Sequence, residues 1–299
     1  MTSQYNRIWT FSGTVLPISW LLAGLFYLLG GRMGNLGGMA FAAGYMFLPG
    51  LGGLALAHWR DGSDDLRRTL GLKVDTWKSP AWALAWLLPV AYTALALGAS
   101  LLVPTTEFSA DGAALLQRYR DIWSPERIAD AERALQELPF HVGWIALLQG
   151  LIAGPTINAL FALGEEAGWR GYLYHHGRSL GFWTYSLLVG TLWGLWHTPL
   201  ILMGHNYPDH PVAGLGMMVL YCLALSPLFT YLTDTLGNAY GAAILHGTNN
   251  ALAGMPLLFV VGGSNLVIGV TGLAGIASIA LLSLGVALVR IVETPEPKG

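Results

Sequence analysis

The sequence predicts an all-α, polytopic integral membrane protein with about eight transmembrane helices. Its 299 residues are 54% hydrophobic and only 11% charged, with a mean hydropathy of +0.52, whereas soluble domains carry about 25% charged residues. Apolar stretches near or above the roughly 20 residues that a helix needs to span a bilayer recur along the whole chain. We therefore expect residues 1–299 to form a single membrane domain.

Eight apolar stretches define the predicted spans. The first is longer than the apolar core of a signal peptide, about 7–15 residues, so we expect it to be retained as a helix. Pro199 interrupts the fifth and predicts a kink or a stop there. The tail after Glu293 is polar and is predicted to be disordered. In chain order the spans are Ile8–Gly30, Gly38–His58, Pro80–Val103, His141–Leu163, Gly181–Met203, Val212–Thr233, Ala239–Val261 and Leu266–Val289.

The connection 104–140 is predicted to be an extracytoplasmic loop that contains a short helix. Ser124 is a good N-cap, Pro125 suits the first helical position, and Glu126 lies in the first turn. Ala131 and Leu135 give this helix a thin apolar face. Two arrangements stay open: the helix lies on the outer membrane surface, or it is a solvated connector.

The orientation in the membrane follows from the basic residues, which are enriched in short cytoplasmic loops. The densest short cluster lies between the second and third spans, so we expect both termini to be cytoplasmic. The fourth span then runs from outside to inside and carries Glu165 and Glu166 at its cytoplasmic-side end. The low lysine content favours a prokaryotic cytoplasmic membrane. The cluster consists of Arg60, Arg67, Arg68, Lys73 and Lys78.

The net charge and the cysteine content argue against a nucleic-acid-binding protein and against a disulfide-stabilised fold. The net charge of −2 argues against a nucleic-acid partner. Cys222 is the only cysteine, so no intramolecular disulfide can form. The oligomeric state is not indicated by the sequence, and the expected surroundings are the lipid bilayer.

Glu165 and Glu166, two adjacent carboxylates after an apolar stretch, are the strongest indication of function in the sequence. Each ionised carboxylate in hydrocarbon costs roughly 2.5–3.5 kcal/mol even on lenient insertion scales, so such residues usually have a function. Glu166 and Arg170 are four residues apart and are expected to form an ion pair. Glu165 points about 100° away on a 3.6-residue helix. It is therefore predicted to be the chemically available carboxylate.

Two polar side chains on the seventh span share a helix face. His246 and Asn250 are four residues apart, so an imidazole N–H and an amide NH₂ leave the helix on the same side. Two convergent donors are what the oxyanion of a peptide carbonyl requires. Asn249 is three residues from His246 and is less well placed, but it stays a candidate.

His197 is a third polar position, and it lies two residues before Pro199 in the run from Trp193 to Pro199. Because Pro199 should end or bend the helix, an exposed carbonyl and an imidazole would form the wall of a watery cavity. His197 could there hold a water against Glu165. Glu165 would take the proton as the water attacks a carbonyl carbon.

Together these residues form the pattern of a known family. Glu-Glu-x-x-x-Arg, aromatic-x-x-x-His and His-x-x-x-Asn occur in this order on successive spans. The pattern resembles the CAAX-protease and bacteriocin-processing family, also called the Abi family, which includes the type II CAAX prenyl endopeptidases. The resemblance covers residues 144–255, the predicted catalytic core. The motif residues are Glu165, Glu166, Arg170, Trp193, His197, His246 and Asn250.

The resemblance implies an intramembrane endopeptidase of the glutamate type, acting on a peptide or protein substrate that is membrane-associated or lipidated. It assigns Glu165 as the general base and His197 as the residue that positions water. It assigns His246 with Asn250 to the oxyanion hole, and Glu166 with Arg170 to a supporting role. The family's cavity opens to the cytoplasm. Trp193 replaces the usual phenylalanine and is expected to change only the local pocket shape.

A zinc site is the alternative reading of the same residues, because two histidines, a glutamate and a water form a known catalytic set. No His-Glu-x-x-His run is present, and Asn250 suits an oxyanion donor better than a zinc ligand. We therefore expect a metal-free mechanism without a cofactor. The loop after the fifth span is expected to be a polar outer turn, with a metal site as its alternative; it contains His205, Tyr207, Asp209 and His210.

Two other classes of function compete with the peptidase. One is a non-enzymatic membrane immunity or binding protein that keeps the fold. The other is a proton-coupled transporter that uses the same buried acids, although inverted repeats and paired broken helices, which are frequent in transporters, are not evident.

Overall fold

Helices form nearly all of the regular structure in this chain. A computed structural model describes residues 2–120 and 124–293, so the predicted disordered tail after Glu293 lies outside the described residues. The α-helices are α1 Thr2–Leu28, α2 Leu36–Tyr45, α3 Leu48–Ala55, α4 Leu66–Thr69, α5 Ala81–Ser100, α6 Ala113–Tyr119, α7 Pro125–Gln136, α8 Val142–Ala153, α9 Ala159–Glu166, α10 Tyr174–Gly177, α11 Phe182–Trp196, α12 Thr198–Leu202, α13 Pro211–Leu236, α14 Tyr240–Leu252 and α15 Leu273–Glu293.

Shorter elements interrupt or connect these helices. Two strands, β1 Thr106–Phe108 and β2 Val260–Gly262, pair antiparallel with Thr106 opposite Gly262. Wide π-helical turns follow α-helices twice within the helical segment Val142–Leu180 and once at the end of the segment Leu36–Arg60; such turns are frequent at functional sites. The π turns are Leu56–Arg60, Gly154–Asn158 and Ala167–Leu173, and the 3₁₀ turns are Arg178–Leu180 and Met255–Leu258.

An all-α polytopic membrane protein is confirmed. Among the described residues, six helical segments are long and apolar enough to cross a membrane. The fifth and seventh predicted spans are shorter helices: α11 has 15 residues and α14 has 13. The six segments are Tyr5–Leu28, Leu36–Arg60, Ala81–Ser100, Val142–Leu180, Pro211–Leu236 and Leu273–Arg290.

The fourth span differs most from its prediction. The apolar stretch ends at Leu163, but the helical segment continues from Val142 to Leu180. The predicted end of this span at Leu163 is therefore wrong: Glu165 and Glu166 close α9, but the helical segment continues through the π turn Ala167–Leu173. Both carboxylates are buried and have polar partners.

Two local predictions are confirmed. The helix that contains Trp193 ends at Trp196, and a separate short helix begins at Thr198 with Pro199 in its first turn, where the missing N–H costs nothing. In the 104–140 connection, α7 begins after Ser124, whose side chain accepts from the N–H of Arg127. The same connection contains another helix, α6, which precedes α7 and was not predicted.

One end of the helix bundle, which we call the basic end, brings together the start of α1, the connection 60–80, the turns 177–181 and 237–239, and the end of α15. Asp61 forms one set of contacts at the basic end. Burial works against its ionised form, but hydrogen bonds from Arg7 and Tyr172 outweigh burial and lower its pKa. Other contacts that join this end are Arg60–Asn6, Gly71–Ala239, Thr76–Leu236, and Asp234 with Tyr174 and Arg290.

The opposite end, which we call the strand end, contains the connections 29–35, 101–141, 203–210 and 253–272. The β1–β2 pair joins the second and fourth of these connections. Asp209 accepts from Asn265 at 3.0 Å, and the Tyr207 hydroxyl donates to the carbonyl of Thr271 at 2.7 Å. These contacts bring together the last three connections, at the end of α5 and the start of α13, which lie away from the basic end.

A glycine sets the distance between α14 and the fourth span. A Cβ atom on Gly247 would lie 2.3 Å from the carbonyl oxygen of Gly154 and 2.4 Å from the backbone nitrogen of Ala159. Both atoms belong to backbone and cannot move cheaply. Because Gly247 follows His246, this close contact brings His246 against the helix that carries Glu166.

We predict that Gly247→Ala destabilises the fold by about 1–3 kcal/mol, the usual cost of overpacking. Thermal unfolding in detergent should show a lower Tm than for the native chain. Gly254→Ala is the matched control, because nothing lies within 4 Å of its added Cβ. Equal Tm values for the two variants would contradict the proposed close contact.

Candidate active site

A cavity of about 280 Å³ lies inside the helix bundle. Glu165, His197, His246 and Asn250 all line it, together with Trp193. These side chains come from α9, from the end of α11 and from α14. The structure therefore brings together around one cavity every residue that the sequence predicted for catalysis.

Glu166 forms the buried centre of the site. Its Oε2 accepts from Arg170 Nη1 at 2.9 Å, which confirms the predicted ion pair. Its Oε1 lies 2.8 Å from His246 Nδ1. Glu166 and Arg170 are fully buried, and His246 is 4% exposed. One carboxylate thus holds a guanidinium from its own span and an imidazole from α14.

Arg170 is held by aromatic rings as well as by Glu166. Its guanidinium carbon lies 4.7 Å from the ring centre of Trp193 and 4.3 Å from that of Phe229. Its Nη2 donates to Ser226 Oγ at 3.2 Å. Such cation–π contacts strengthen when water is excluded. The cation is therefore fixed in one place, and the carboxylate of Glu166 with it.

Glu165, the adjacent carboxylate, has different surroundings. Its Oε2 accepts from the indole Nε1 of Trp193 at 2.7 Å. Within residues 2–120 and 124–293, no hydrogen bond to its other oxygen, Oε1, is observed. The expectation that Trp193 changes only the pocket shape is incomplete, because phenylalanine has no N–H to donate. Trp193 orients Glu165 as well as lining the cavity.

The hydrogen bond of His197 defines which of its ring nitrogens carries the hydrogen and which is left as an acceptor. Its Nδ1 lies 2.8 Å from the carbonyl oxygen of Trp193. Since a carbonyl only accepts, Nδ1 must carry the hydrogen and Nε2 is left as an acceptor. The helix ends one residue earlier, so this carbonyl is available to the ring. His197 can therefore accept a hydrogen bond from a water molecule in the cavity.

The two asparagines of α14 have different positions. Asn249 is buried, and its Oδ1 accepts from the hydroxyls of Tyr92 at 2.9 Å and Tyr221 at 2.7 Å. Its Nδ2 donates to Oδ1 of Asn250 at 3.2 Å. This chain of hydrogen bonds fixes the amide of Asn250, whose side chain is exposed, with its NH₂ group available to a ligand. Asn249 also lines the cavity, but its Oδ1 and Nδ2 already take part in these hydrogen bonds.

The loop after α12 lines the cavity, which the sequence did not predict. His205 and Asn206 line the cavity. Tyr207 is fully buried, so the expectation of a polar outer turn is wrong for this part of the loop. Asn206 adopts a left-handed conformation with φ of 61°. Nothing in the spacing of these residues indicated that the loop folds back over the cavity.

Metal-binding groups are sparse here. In the part of the chain that the structure describes, no group of three or more His, Cys, Asp or Glu side chains is arranged to hold a metal ion. Glu166 Oε1 faces His246 and its Oε2 faces Arg170. Glu165 and the Nε2 atoms of His197 and His246 are the groups that a metal at this site would use.

The fold and site define a helical membrane protein with a buried glutamate–histidine cluster at an internal cavity. Comparison with known families gives a match of residues 140–252 to the Rce1-like family, described as type II CAAX prenyl endopeptidase Rce1-like. This segment contains Glu165, His197, His246 and Asn250.

A curated relative gives a second, shorter match. The chain is 43% identical over 49 residues to CAAX prenyl protease 2 of Methanococcus maripaludis, which covers 16% of this chain and 18% of the relative. The resemblance to the CAAX protease family that the motifs predict is confirmed by these two matches.

We predict that Arg170→Met destabilises the protein by about 3–5 kcal/mol, because it leaves the carboxylate of Glu166 buried without its cation. The measurement is thermal unfolding in detergent. Arg133→Met is the control, since Arg133 and its partner Asp130 are both largely exposed, and it should leave Tm unchanged. A native Tm for Arg170→Met would contradict a stabilising role for the buried ion pair.

Proposed function

We propose that this protein is an intramembrane glutamate-type endopeptidase that hydrolyses peptide bonds of a membrane-associated or lipidated substrate. The observation that carries the proposal is the position of Glu165. One of its oxygens is held by Trp193, and the carboxylate lines a cavity with two imidazoles and the amide of Asn250. The family match supports the same class of reaction.

Water activation is the first step. A water between Glu165 and His197 donates one hydrogen bond to the carboxylate and one to Nε2 of His197. Its lone pair is then directed away from both groups, toward a substrate carbonyl. As the oxygen of the water attacks the carbonyl carbon, Glu165 takes the proton. General base catalysis of this kind contributes about 10²–10⁴-fold.

The negative oxygen of the tetrahedral intermediate receives hydrogen bonds from Nε2–H of His246 and from the NH₂ group of Asn250. This role requires a protonated His246. The charges of the cluster support that form: with Glu165 and Glu166 ionised and Arg170 and His246 protonated, the formal charges sum to zero. A buried cluster without net charge avoids the cost of an unpaired ion.

Breakdown of the intermediate completes the reaction. The carbon–nitrogen bond breaks as the carbonyl re-forms, and the proton held by Glu165 passes to the leaving nitrogen. The products are a carboxylic acid and an amine, and Glu165 returns to its ionised form. No metal or other cofactor takes part in these steps.

We predict that Glu165→Gln lowers the cleavage rate by about 10²–10⁴-fold, because the amide cannot accept the proton of the water. Purified protein is incubated with a tagged peptide library that includes prenylated CAAX peptides, with and without a chelator. Glu107→Gln, an exposed change on β1, is the matched control and should keep full activity.

Three results would oppose this mechanism. Unchanged cleavage by Glu165→Gln would remove Glu165 as the base. Loss of activity with the chelator, restored by zinc, would replace the metal-free steps with the zinc alternative. Absence of cleavage by the native chain on every peptide, with retained binding, would favour the non-enzymatic binding protein.

We also predict that the neighbouring asparagines give separable effects. Asn250→Ala should lower kcat by about 10²–10³-fold, the usual cost of one oxyanion donor, with little change in Tm. Asn249→Ala should lower Tm, because the hydroxyls of Tyr92 and Tyr221 lose their buried acceptor. Kinetics and thermal unfolding of both variants test the assignment, and an effect of Asn250→Ala on Tm alone would contradict it.

A further inference from the structure

A second cavity, of about 250 Å³, lies at the basic end of the bundle and shares no lining residue with the catalytic cavity. Its lining includes three arginines, Arg68, Arg170 and Arg178, and the described part of the chain contributes no aspartate or glutamate to it. A single buried water needs only about 10–15 Å³. The cavity therefore has room for a ligand of several heavy atoms, and its charges favour an anion.

Backbone contacts fix the walls of this cavity. Gly71, with φ of 66°, accepts with its carbonyl from the N–H of Ala239 at 2.9 Å. A Cβ atom on Gly171 would lie 2.2 Å from the carbonyl oxygen of Leu70. The connection 60–80 thus packs directly on the π turn and on the turn 237–239. Because these contacts join backbone atoms, the cavity is preformed.

The exposed part of the lining carries cations with few partners. Arg68 and Arg178 are both exposed. Arg68 Nε lies 4.0 Å from Asp65 Oδ2, which is a weak contact. Within residues 2–120 and 124–293, the side chain of Arg178 has neither a hydrogen bond nor an ion pair. Two guanidinium groups with so little countercharge attract an anion to this part of the surface.

Arg170 forms the buried part of the lining. Its Nη1 and Nη2 donate to Glu166 and Ser226. Its Nε is also buried, but no acceptor for it is found among the residues that the structure describes. A buried N–H of a charged group without an acceptor is costly. A ligand with acceptor oxygens in this cavity would supply what Nε lacks.

Exposed tryptophans relate this end of the bundle to a membrane surface. Trp59 is 81% exposed and Trp77 is 75% exposed, and they lie before and after Arg68 in the chain. Tryptophan is enriched at the headgroup level of a bilayer. The cavity therefore lies near the depth at which the phosphates of lipids are found.

From these observations we propose that the cavity at the basic end binds a phosphate group, held by Arg68 and Arg178 at its exposed side and by Nε of Arg170 at its buried side. Planar guanidinium groups match the oxygens of a phosphate and donate two parallel hydrogen bonds to it. Basic pockets between membrane helices bind phospholipid headgroups. An anionic phospholipid and a soluble phosphate present the same oxygens, so both are sources of this ligand.

The proposed phosphate site is connected to the catalytic cluster through Arg170. This residue binds Glu166, whose other oxygen faces His246. The charges of Arg68 and Arg178 offset that of the phosphate, so the formal neutrality of the cluster around Glu166 is preserved. A bound phosphate holds the guanidinium of Arg170 from the side opposite to Glu166 and should stabilise the folded chain. The proposal does not depend on the peptidase function.

Thermal unfolding of the purified full-length chain in neutral detergent tests the site. The probes are inorganic phosphate, compared with chloride at equal ionic strength, and short-chain phosphatidylglycerol, compared with short-chain phosphatidylcholine. The rise of Tm with probe concentration gives Kd. The double variant Arg68→Gln with Arg178→Gln should raise Kd by about 10–100-fold, because it removes charged hydrogen bonds.

The matched control is Arg67→Gln with Lys78→Gln. It removes the same number of charges from exposed positions at the same end but outside the cavity, and it should leave Kd unchanged. The general stabilising effect of phosphate as a salt is equal in both double variants and cancels in the comparison. Glu165→Gln should also bind phosphate as the native chain does, which separates this site from the proposed catalysis.

The results identify the source of the phosphate or overturn the site. A rise in Tm with phosphatidylglycerol that the double variant Arg68→Gln with Arg178→Gln weakens supports a lipid headgroup, and the same result with inorganic phosphate supports a soluble ligand. Equal weakening by the control variant would show attraction to the general positive surface and would overturn the site, as would a Tm that neither probe raises.

A second variant applies if the first double variant does not fold without a ligand. Arg68→Lys with Arg178→Lys keeps both charges but loses the paired donors of the guanidinium groups. It should bind each probe more weakly than the native chain does. A native Kd for this variant would contradict the proposed role of the two guanidinium groups.

Discussion

The hydrogen-bonded ion cluster around Glu166 is the constraint on which the rest of the site depends. A single buried carboxylate binds Arg170 on one oxygen and His246 on the other, so it joins the fourth span to α14. Both oxygens of Glu166 have partners, whereas Glu165 is held through one oxygen by Trp193 and lines the cavity. Two adjacent residues of the same type thus have different surroundings, because a helix turns them toward different neighbours.

The cluster also explains how so many polar groups remain in a membrane interior. Each charged group faces an opposite charge, an aromatic ring or a hydrogen-bond donor, and no isolated ion is left in the apolar surroundings. Trp193 is central to this arrangement. Its ring covers the guanidinium of Arg170, and its N–H holds Glu165. A phenylalanine at this position would provide only the first of these contacts.

Interactions between residues close in sequence could be predicted, and those between distant residues could not. The four-residue spacing identified the Glu166–Arg170 pair, and Ser124 and Pro199 marked helix boundaries correctly. The contact of Glu166 with His246 joins residues 80 positions apart, and the Tyr92 hydroxyl reaches Asn249 across 157 positions. Helical periodicity carries no information about such pairs. The π turns and the cavity lining by His205 have the same cause, since both depend on how neighbouring helices pack.

The proposed reaction limits the form in which a substrate can bind. In an α-helix each backbone carbonyl accepts from the N–H four residues further on and is surrounded by side chains. For the water held by Glu165 to reach a carbonyl carbon, the substrate segment next to Glu165 must therefore be extended. Extended segments are found where a chain leaves the membrane or follows its last helix, because unpaired backbone groups are costly in lipid. A cavity that opens at the membrane surface, with its carboxylate held below, suits a polypeptide of that kind.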